Sequence, residues 1–232
     1  MKIRISENVL VEYPTAAILA FGIKEIRYEG NDKEFYSDIK LISDCCLNRN
    51  YEEKYNDEIN FWKDRYKKMS LSRKKGYSSF ESLFKRYSKK AELPNIYPFV
   101  DLYNAICLKH GVCIGSYNTE NIMGDILLEI VEEDKIIYSI GSNKPIKISP
   151  PGVVYSDKEG VICSYWNYRD AERTCVTNET TDILVLIDVG SDKKYATSAM
   201  NDFIYYINKY FSCELIKHQN ISLENNNIDI DI

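Results

Sequence analysis

The chain has 232 residues and a formal net charge of −5 at pH 7, and 44% of its residues are hydrophobic. This composition is ordinary for a soluble globular protein, and the length suits one domain or two small ones. No apolar run approaches the roughly 20 residues that a membrane helix needs, and the N-terminus has no signal-peptide pattern. We therefore expect a cytoplasmic protein without a membrane partner.

Cysteine and histidine usage argues against a metal site. The seven cysteines form no Cys-x-x-Cys pair, and the two histidines, His110 and His218, lie far apart in the sequence. Structural zinc sites draw on clustered Cys and His ligands. We therefore expect reduced, mostly buried thiols, no metal and no cofactor.

The first third of the chain predicts two strands and then helices. Lys2–Ser6 alternates in polarity and Thr15–Ile23 is a continuous apolar run, and both patterns are typical of strands. Asp32–Asp44 is a plausible helix. Tyr51–Met69 is the clearest one, because its apolar residues recur at spacings of four and three. That stripe consists of Tyr55, Ile59, Trp62, Tyr66 and Met69.

A second amphipathic helix follows a break at Gly76. Ser78 and Glu81 have the spacing of a capping box, and the helix they open is expected to end near Pro94. We interpret residues 51–90 as a basic helical insert. Within it, Lys63–Lys90 carries a net charge of +9, which leaves −14 on the rest of the chain.

A basic segment inside an acidic protein is typical of proteins that bind a polyanion such as RNA. Aromatic residues alternate with these charges, as they do in surfaces that stack on bases. A solvated helical face is the alternative interpretation. The residues predicted to contact RNA are Lys67, Lys68, Arg73, Lys74, Lys75, Lys85, Arg86 and Lys89.

One more helix and a mainly β region follow. Pro98 is tolerated in a first helical turn and Gly111 is a natural C-terminal stop. His110 lies at the end of this helix and is expected to be structural, because the sequence places no acid or nucleophile near it. Asp101 and Asn104 lie on one face of this helix because residues three apart are neighbours. Short strands are predicted at 112–115, 125–131, 135–140, 152–155, 160–165 and 183–189, then a helix at 195–211, a strand at 214–217 and a frayed end at 225–232.

The richest polar stretch is Tyr165–Thr181, between two predicted strands. It contains one indole, two phenols, two guanidiniums and four threonine hydroxyls. Functional side chains are often carried by a connection that a rigid scaffold positions. The alternative is a surface ion-pair cluster with Trp166 packed in the core. The overall pattern predicts an α+β fold, with a mixed β-sheet core and segregated helices.

Two stretches together resemble a known family. Asn95–Asn118, with Asp-Leu-Tyr-Asn ending at Asn104, and Gly160–Asp188 resemble the B3/B4 domain of the bacterial phenylalanyl-tRNA synthetase β subunit, which hydrolyses mischarged tRNA. The run Trp166–Thr177 is similar to free-standing relatives of that domain. The resemblance implies one B3/B4-type domain over residues 1–232, with a core at about 94–189. It also implies tRNA as the partner, with no DNA expected.

Two positions depart from the synthetase pattern. A histidine of the editing pocket matches Gly115, and a glutamate that recognises the tyrosine hydroxyl matches Leu186. Because the residue that selects tyrosine is absent, the resemblance does not imply removal of tyrosine. An apolar residue at Leu186 favours an aliphatic or small amino acid.

The resemblance and the residue types together predict the site. Hydrolysis of an activated ester needs a positioned water and donors for the oxyanion more than a strong base. The predicted catalytic residues are Asn104, Thr174, Thr177 and Glu172. The predicted substrate-binding residues are Arg169, Arg173, Gly115, Tyr117, Thr180 and Leu186, with Glu172 bracing one arginine. The alternatives are a non-catalytic module that binds RNA or an amino acid, and an unrelated interaction protein.

Overall fold

The computed structural model describes residues 1–48, 50–71 and 76–231. The helices are α1 Glu7–Glu12, α2 Asp32–Asp44, α3 Tyr51–Lys54, α4 Asn56–Lys68, α5 Ser79–Lys90, α6 Pro98–His110 and α7 Lys193–Tyr210. The strands are β1 Lys2–Ile5, β2 Ile18–Tyr28, β3 Cys113–Asn118, β4 Ile126–Ile130, β5 Lys135–Ile137, β6 Ile146–Ile148, β7 Val153–Ser156, β8 Val161–Ser164, β9 Arg169–Asp170, β10 Ile183–Asp188, β11 Phe211–Ile221 and β12 Asn227–Asp229. The predicted α+β class is confirmed.

The strands form two main sheets and a hairpin. One sheet has the order β12-β1-β4-β7-β8-β9, the other has the order β11-β2-β10-β3, and β5 pairs with β6. Among the described residues, β1 and β4 form the one parallel pair of the two main sheets, and the other pairs are antiparallel. Both kinds of pairing therefore occur, as expected for a mixed sheet core.

The four-stranded sheet is buried on both faces over residues 18–23 of β2 and 183–187 of β10, where both central strands are apolar. Leu19, Phe21 and Val185 belong to the core that α2, α6 and α7 cover. Ala20 and Leu186, one residue away along their strands, belong to a second core shared with the six-stranded sheet and with α4 and α5. Because successive side chains of a strand point to opposite faces of the sheet, alternate residues belong to two separate cores.

Helix ends follow the predicted local signals. The Ser78 hydroxyl accepts a hydrogen bond from the Glu81 backbone N–H, and Gly111 ends α6 in the left-handed conformation. The predicted helix over residues 51–69 breaks at Tyr55, which has non-helical backbone angles. His110 contacts Asp202 of α7 at 2.8 Å, so it joins two helices.

The predicted basic insert is part of the core. Trp62, Tyr66 and Phe80 are 4% exposed or less and pack in the same core as β1 and β4. Arg65 is also buried: its guanidinium stacks on the Phe61 ring at 3.4 Å and donates to the Thr15 hydroxyl. Arg65, a cation of this segment, therefore faces inward.

The prediction that residues 225–232 fray is wrong for the part that the structure describes. β12 pairs antiparallel with β1, with Ile3 opposite Ile228. Ile228 and Ile230 are buried, and the N-terminal ammonium donates to the Ile230 carbonyl. Burial of two isoleucines stabilises a segment whose polar composition alone gave no strand signal.

All seven cysteines are free thiols, as predicted. Cys46, Cys107, Cys113 and Cys163 are buried, and Cys45, Cys175 and Cys213 are half-buried. No helix within the described residues is long and apolar enough to cross a membrane.

Candidate functional site

The polar stretch 165–181 begins with a sharp turn after β8. Tyr165 and Trp166 both have positive φ angles, of 45° and 71°, which cost about 1 kcal/mol each for residues with side chains. Trp166 offsets that cost because its indole is 1% exposed. Its backbone N–H donates to Val153 and its Nε1–H to Asp188. Trp166 is therefore a core anchor, as the alternative interpretation of this stretch predicted.

A narrow cleft lies between the two sheets and beneath this turn. We call it the inter-sheet cleft, and its lining includes Gly115, Tyr117, Cys163, Asp170, Leu186 and Asp188. Its volume is about 30 Å³. One water needs about 10–15 Å³, so the cleft has room for about two waters and not for an amino acid.

The two positions that depart from the synthetase pattern face each other in this cleft. Gly115 of β3 is the register partner of Leu186 of β10. The Tyr117 hydroxyl occupies the space above Gly115, since a Cβ there would lie 2.7 Å from the phenol oxygen. A side chain at position 115 and the Tyr117 phenol therefore exclude each other.

Two aspartates line the cleft, and both have perturbed acidity. Asp188 is 4% exposed and accepts hydrogen bonds from Tyr155, Trp166 and Asn167 at 2.5, 3.2 and 3.0 Å. Burial raises the pKa of Asp188 to about 7 despite these three donors. With both oxygens held by donors, this carboxylate organises the cleft wall.

Asp170 has fewer partners. The Tyr117 hydroxyl donates to its Oδ1 at 3.2 Å, and burial raises the pKa of the Asp170 carboxyl. A half-buried acid with a raised pKa in a cleft fits a general base better than an exposed one. Asp170 is therefore the strongest candidate base in the inter-sheet cleft.

Helices α4 and α5 hold the loop that forms the cleft. The Tyr66 hydroxyl donates to Oδ1 of Asn167 at 2.5 Å, and the Ser79 backbone N–H donates to the Asn167 carbonyl. The buried Glu58 accepts from Trp62 and from Ser191, after β10. The segment predicted as an insert thus positions the candidate site.

Arg173 and Glu172 lie away from the cleft, at an open hollow of about 470 Å³ next to Tyr138. Arg173 makes a bidentate ion pair with Asp157, whose side chain is fully buried, at 2.8 and 3.0 Å. The acids that pair with Arg173 are Asp157 and, at 3.6 Å, Glu159, so among the described residues Glu172 is not the acid that braces Arg173. Arg169 is exposed, with its guanidinium 5.3 Å from the Tyr168 ring.

The three predicted threonines separate into two environments. Thr174 is completely buried, and its hydroxyl has no hydrogen-bond partner among the described residues. The Thr180 hydroxyl accepts from the Thr177 backbone N–H, and the pair lines a small hollow of about 50 Å³ beside Phe99. Thr177 and Thr180 thus close a turn, and neither lines the inter-sheet cleft.

Asn104 lies half-buried on α6, the helix that covers the opposite face of the four-stranded sheet. Asp101, one turn earlier, is fully buried and accepts from the Ile96 backbone N–H. The structure therefore brings together Gly115, Tyr117 and Leu186 of the predicted set, and Asn104 does not line their cleft.

Five of the predicted RNA-contacting residues belong to α4 or α5: Lys67, Lys68, Lys85, Arg86 and Lys89. Lys67, Arg86 and Lys89 are exposed and have no ion-pair partner within the described ranges. Lys68 pairs with Glu12 and Lys85 with Glu81. Arg73, Lys74 and Lys75 lie outside the residues that the structure describes.

Sequence reasoning missed the two acidic residues of the cleft. Asp170 belongs to the stretch 165–181, and Asp188 ends a wholly apolar run. An acidic residue at the end of a buried strand is unusual, because an unpaired buried carboxylate is unfavourable. The position of Asp188 at the end of a buried strand was therefore the feature of the sequence that could have identified it.

The comparisons with known proteins agree with this architecture. Residues 63–211 match the model of the B3/4 domain family, which is well over half of the chain. The chain belongs to the B3/4 domain family. The matched range of this B3/4 domain begins inside α4 and contains every residue of the inter-sheet cleft.

A solved structure shares the fold. It is an N-terminal fragment of the phenylalanyl-tRNA synthetase β subunit from Pyrococcus horikoshii, with a TM-score of 0.53 and 10% sequence identity. The match covers 92% of this chain and 49% of that fragment, so this B3/4 domain spans about half the length of its structural neighbour. No curated protein matches the chain in sequence.

Proposed function

We propose that this protein binds tRNA and hydrolyses, in trans, the ester of a mischarged aminoacyl-tRNA. The observation that carries the proposal is the inter-sheet cleft, inside the range of the B3/4 match, where Gly115 faces Leu186 and Asp170 lies beside them. The fold shared with a phenylalanyl-tRNA synthetase fragment supports the choice of aminoacyl-tRNA as the substrate class.

The chemistry requires a water, a base and an opening of the cleft. Asp170 takes a proton from the water as its oxygen attacks the ester carbonyl carbon. Asp170 then returns the proton to the ribose oxygen as the carbon–oxygen bond breaks, which releases the amino acid and a free ribose hydroxyl. The Tyr117 phenol must move from above Gly115 to admit the aminoacyl group. Leu186 then contacts an apolar side chain, which favours aliphatic or small amino acids.

The catalytic set predicted from sequence remains part of the proposal, with distinct tests for each member. Thr174→Val replaces a buried hydroxyl that has no partner among the described residues, so the folded state should lose little stability. A fall in turnover for this variant would assign the hydroxyl to chemistry. Asn104→Ala, Thr177→Val and Glu172→Gln test the remaining positions.

Exposed cations support RNA as the partner. Lys67, Arg86 and Lys89 remain without an ion-pair partner within the described part of the chain, and phosphate contacts of this kind make binding fall steeply with salt. We expect replacement of all three by Gln to weaken tRNA binding and reduce its salt dependence. Lys33→Gln, an exposed lysine on α2, is the matched control.

The deciding experiment is a panel of mischarged tRNAs incubated with the full chain at low and moderate salt. Release of at least one amino acid, with turnover lost in Asp170→Asn and retained in Glu179→Gln, an exposed acid of the same stretch, supports a base in the cleft. Absence of both tRNA binding and deacylation across the panel refutes the proposal.

One observation favours a second candidate, a non-catalytic RNA-binding or amino-acid-binding module. The cleft volume is only about 30 Å³ with the Tyr117 phenol in place. A binder of this kind would retain tRNA without deacylation, and Asp170→Asn would leave its affinity unchanged.

A further inference from the structure

A second pocket lies on the helical side of the four-stranded sheet, between α2, the end of α5 and the start of α6. We call it the helical pocket. Its volume is about 170 Å³, and Ile39, Tyr87 and Leu93 provide much of its apolar lining. Tyr36 and Asp101 add polar groups. An apolar cavity of about 150 Å³ accommodates benzene, so this pocket has room for a ring with a short substituent.

The Asp101 carboxyl is the unusual feature of the helical pocket. Its side chain is fully buried, and Oδ1 accepts from the Ile96 backbone N–H at 3.1 Å. Oδ2 has no hydrogen-bond partner among the described residues. The Tyr36 hydroxyl donates to Asn95 at 3.0 Å. Burial raises the pKa of Asp101, and the Tyr36 hydroxyl also lies close enough to the Asp101 carboxyl to stabilise its charged form, which lowers the pKa against the effect of burial. A buried carboxylate oxygen without a donor is unfavourable, so this oxygen is a ready acceptor for a ligand.

The charges around the helical pocket favour a cation. Lys40 also lines it, but its ammonium already pairs with Asp44 at 3.1 Å. Glu92 is an exposed acid on the same lining. An anionic ligand would therefore meet two carboxylates and a lysine that is already paired with Asp44.

We propose that the helical pocket binds a small organic amine. The ligand ammonium donates to Oδ2 of Asp101, and an apolar body of about benzene size packs against Ile39, Tyr87 and Leu93. A charge-assisted hydrogen bond to a buried carboxylate supplies orientation, and the apolar walls supply the burial of the ligand body.

This site is separate from the inter-sheet cleft and does not rest on the proposed deacylase function. Ser79, at the first turn of α5, lines the cleft, and Ala91, just past the last turn, lines the helical pocket. The 12 residues of α5 span about 18 Å at 1.5 Å per residue. The two sites therefore lie at opposite ends of one helix.

Three probes of similar shape test the proposal on the unmodified full chain: benzylamine, benzyl alcohol and benzoate. NMR titration reports both the affinity and the residues that shift. We expect benzylamine to bind about tenfold or more tighter than benzyl alcohol, with shifts at Tyr36, Ile39 and Leu93, and benzoate not to bind. Equal affinities for the three probes, or shifts confined to other surfaces, would overturn the proposal.

Two charge-removing variants locate the interaction. Asp101→Asn retains an acceptor for Ile96 but removes the buried charge, and we expect about tenfold or more weaker binding of benzylamine. Glu92→Gln removes a charge from the exposed part of the lining, and we expect less than about a threefold change, because exposed charges are screened. A weaker effect of Asp101→Asn than of Glu92→Gln would refute the assignment. If Asp101→Asn fails to fold, the comparison of the three probes on the unmodified chain decides.

Discussion

The ion pair between Arg173 and Asp157 gives a sharp test of whether Arg173 is structural. Asp157 is fully buried at its side chain, and Arg173 is 25% exposed. Besides Arg173, the Asp157 carboxylate accepts from the backbone N–H groups of Met123, Glu159 and Gly160. Arg173→Gln would leave this buried charge without its counter-ion.

The geometry sets the expected magnitude. Removing one partner of a fully buried pair costs about 3–5 kcal/mol. Three backbone donors remain and Arg173 is partly solvated, so we expect a loss of about 2–3 kcal/mol. For a chain of this length, that loss corresponds to a fall in Tm of about 5–10 °C. Arg169→Gln, an exposed arginine on the same stretch, should change stability by less than about 0.5 kcal/mol.

Urea unfolding of the two variants, of Asp157→Asn and of the double variant completes the test. A double-mutant cycle isolates the pairwise energy, and we expect at least about 1 kcal/mol. Burial alone would raise the pKa of Asp157, but the bonds from Arg173 and the backbone hold it below its ordinary value. The coupling should therefore be complete at neutral pH and be lost as pH falls below 3.8. Equal effects of Arg173→Gln and Arg169→Gln would refute the reasoning.

Three further predictions concern single positions. Ala91→Gly should stabilise the protein by about 0.5–1 kcal/mol in urea unfolding, because Ala91 ends α5 at a φ of 52° where glycine is unstrained; a loss of stability would contradict this. The free energy of unfolding should fall as pH rises from 3.8 to about 7, because the pKa of Asp188 is raised in the folded state. The free energy of unfolding of Asp188→Asn should fall less over the same range, and parallel pH profiles of the two proteins would exclude Asp188 as the source. Tyr117→Ala should widen the inter-sheet cleft and, in the mischarged-tRNA panel, extend deacylation to larger amino acids. An unchanged preference among amino acids would show that the Tyr117 phenol does not set the size of the pocket.

Local signals in the sequence were sufficient for most of the helices. The Ser78 cap, the Pro98 start and the Gly111 end were all predicted from residue types whose effect extends over one turn. The prediction of a capping box was only half correct. The Glu81 backbone N–H donates to the Ser78 hydroxyl as predicted, but the Glu81 carboxylate accepts from Lys85. One-turn signals identify an end of a helix, but they leave open which of several nearby partners a side chain selects.

Long-range contacts account for what the sequence did not reveal. Glu58 belongs to a segment whose charges suggest a solvated surface, yet it is buried against Ser191, which is 133 residues away. The inter-sheet cleft likewise depends on pairing between β3 and β10, whose register places Gly115 opposite Leu186. Periodicity predicts that a residue such as Leu186 faces inward, but only the tertiary fold decides which buried residues meet.

The four buried thiols can report local unfolding of this fold through their reaction with alkylating reagents. Burial raises the pKa of Cys46 and Cys107 to about 12, and it raises the pKa of Cys113 and Cys163 well above the ordinary value. Because alkylating reagents need the thiolate, they react with these four thiols only after local unfolding. Cys107 lies in the helical layer and Cys163 in the six-stranded sheet. Pulse alkylation followed by peptide mass analysis would therefore time the opening of each layer separately, without any engineered label.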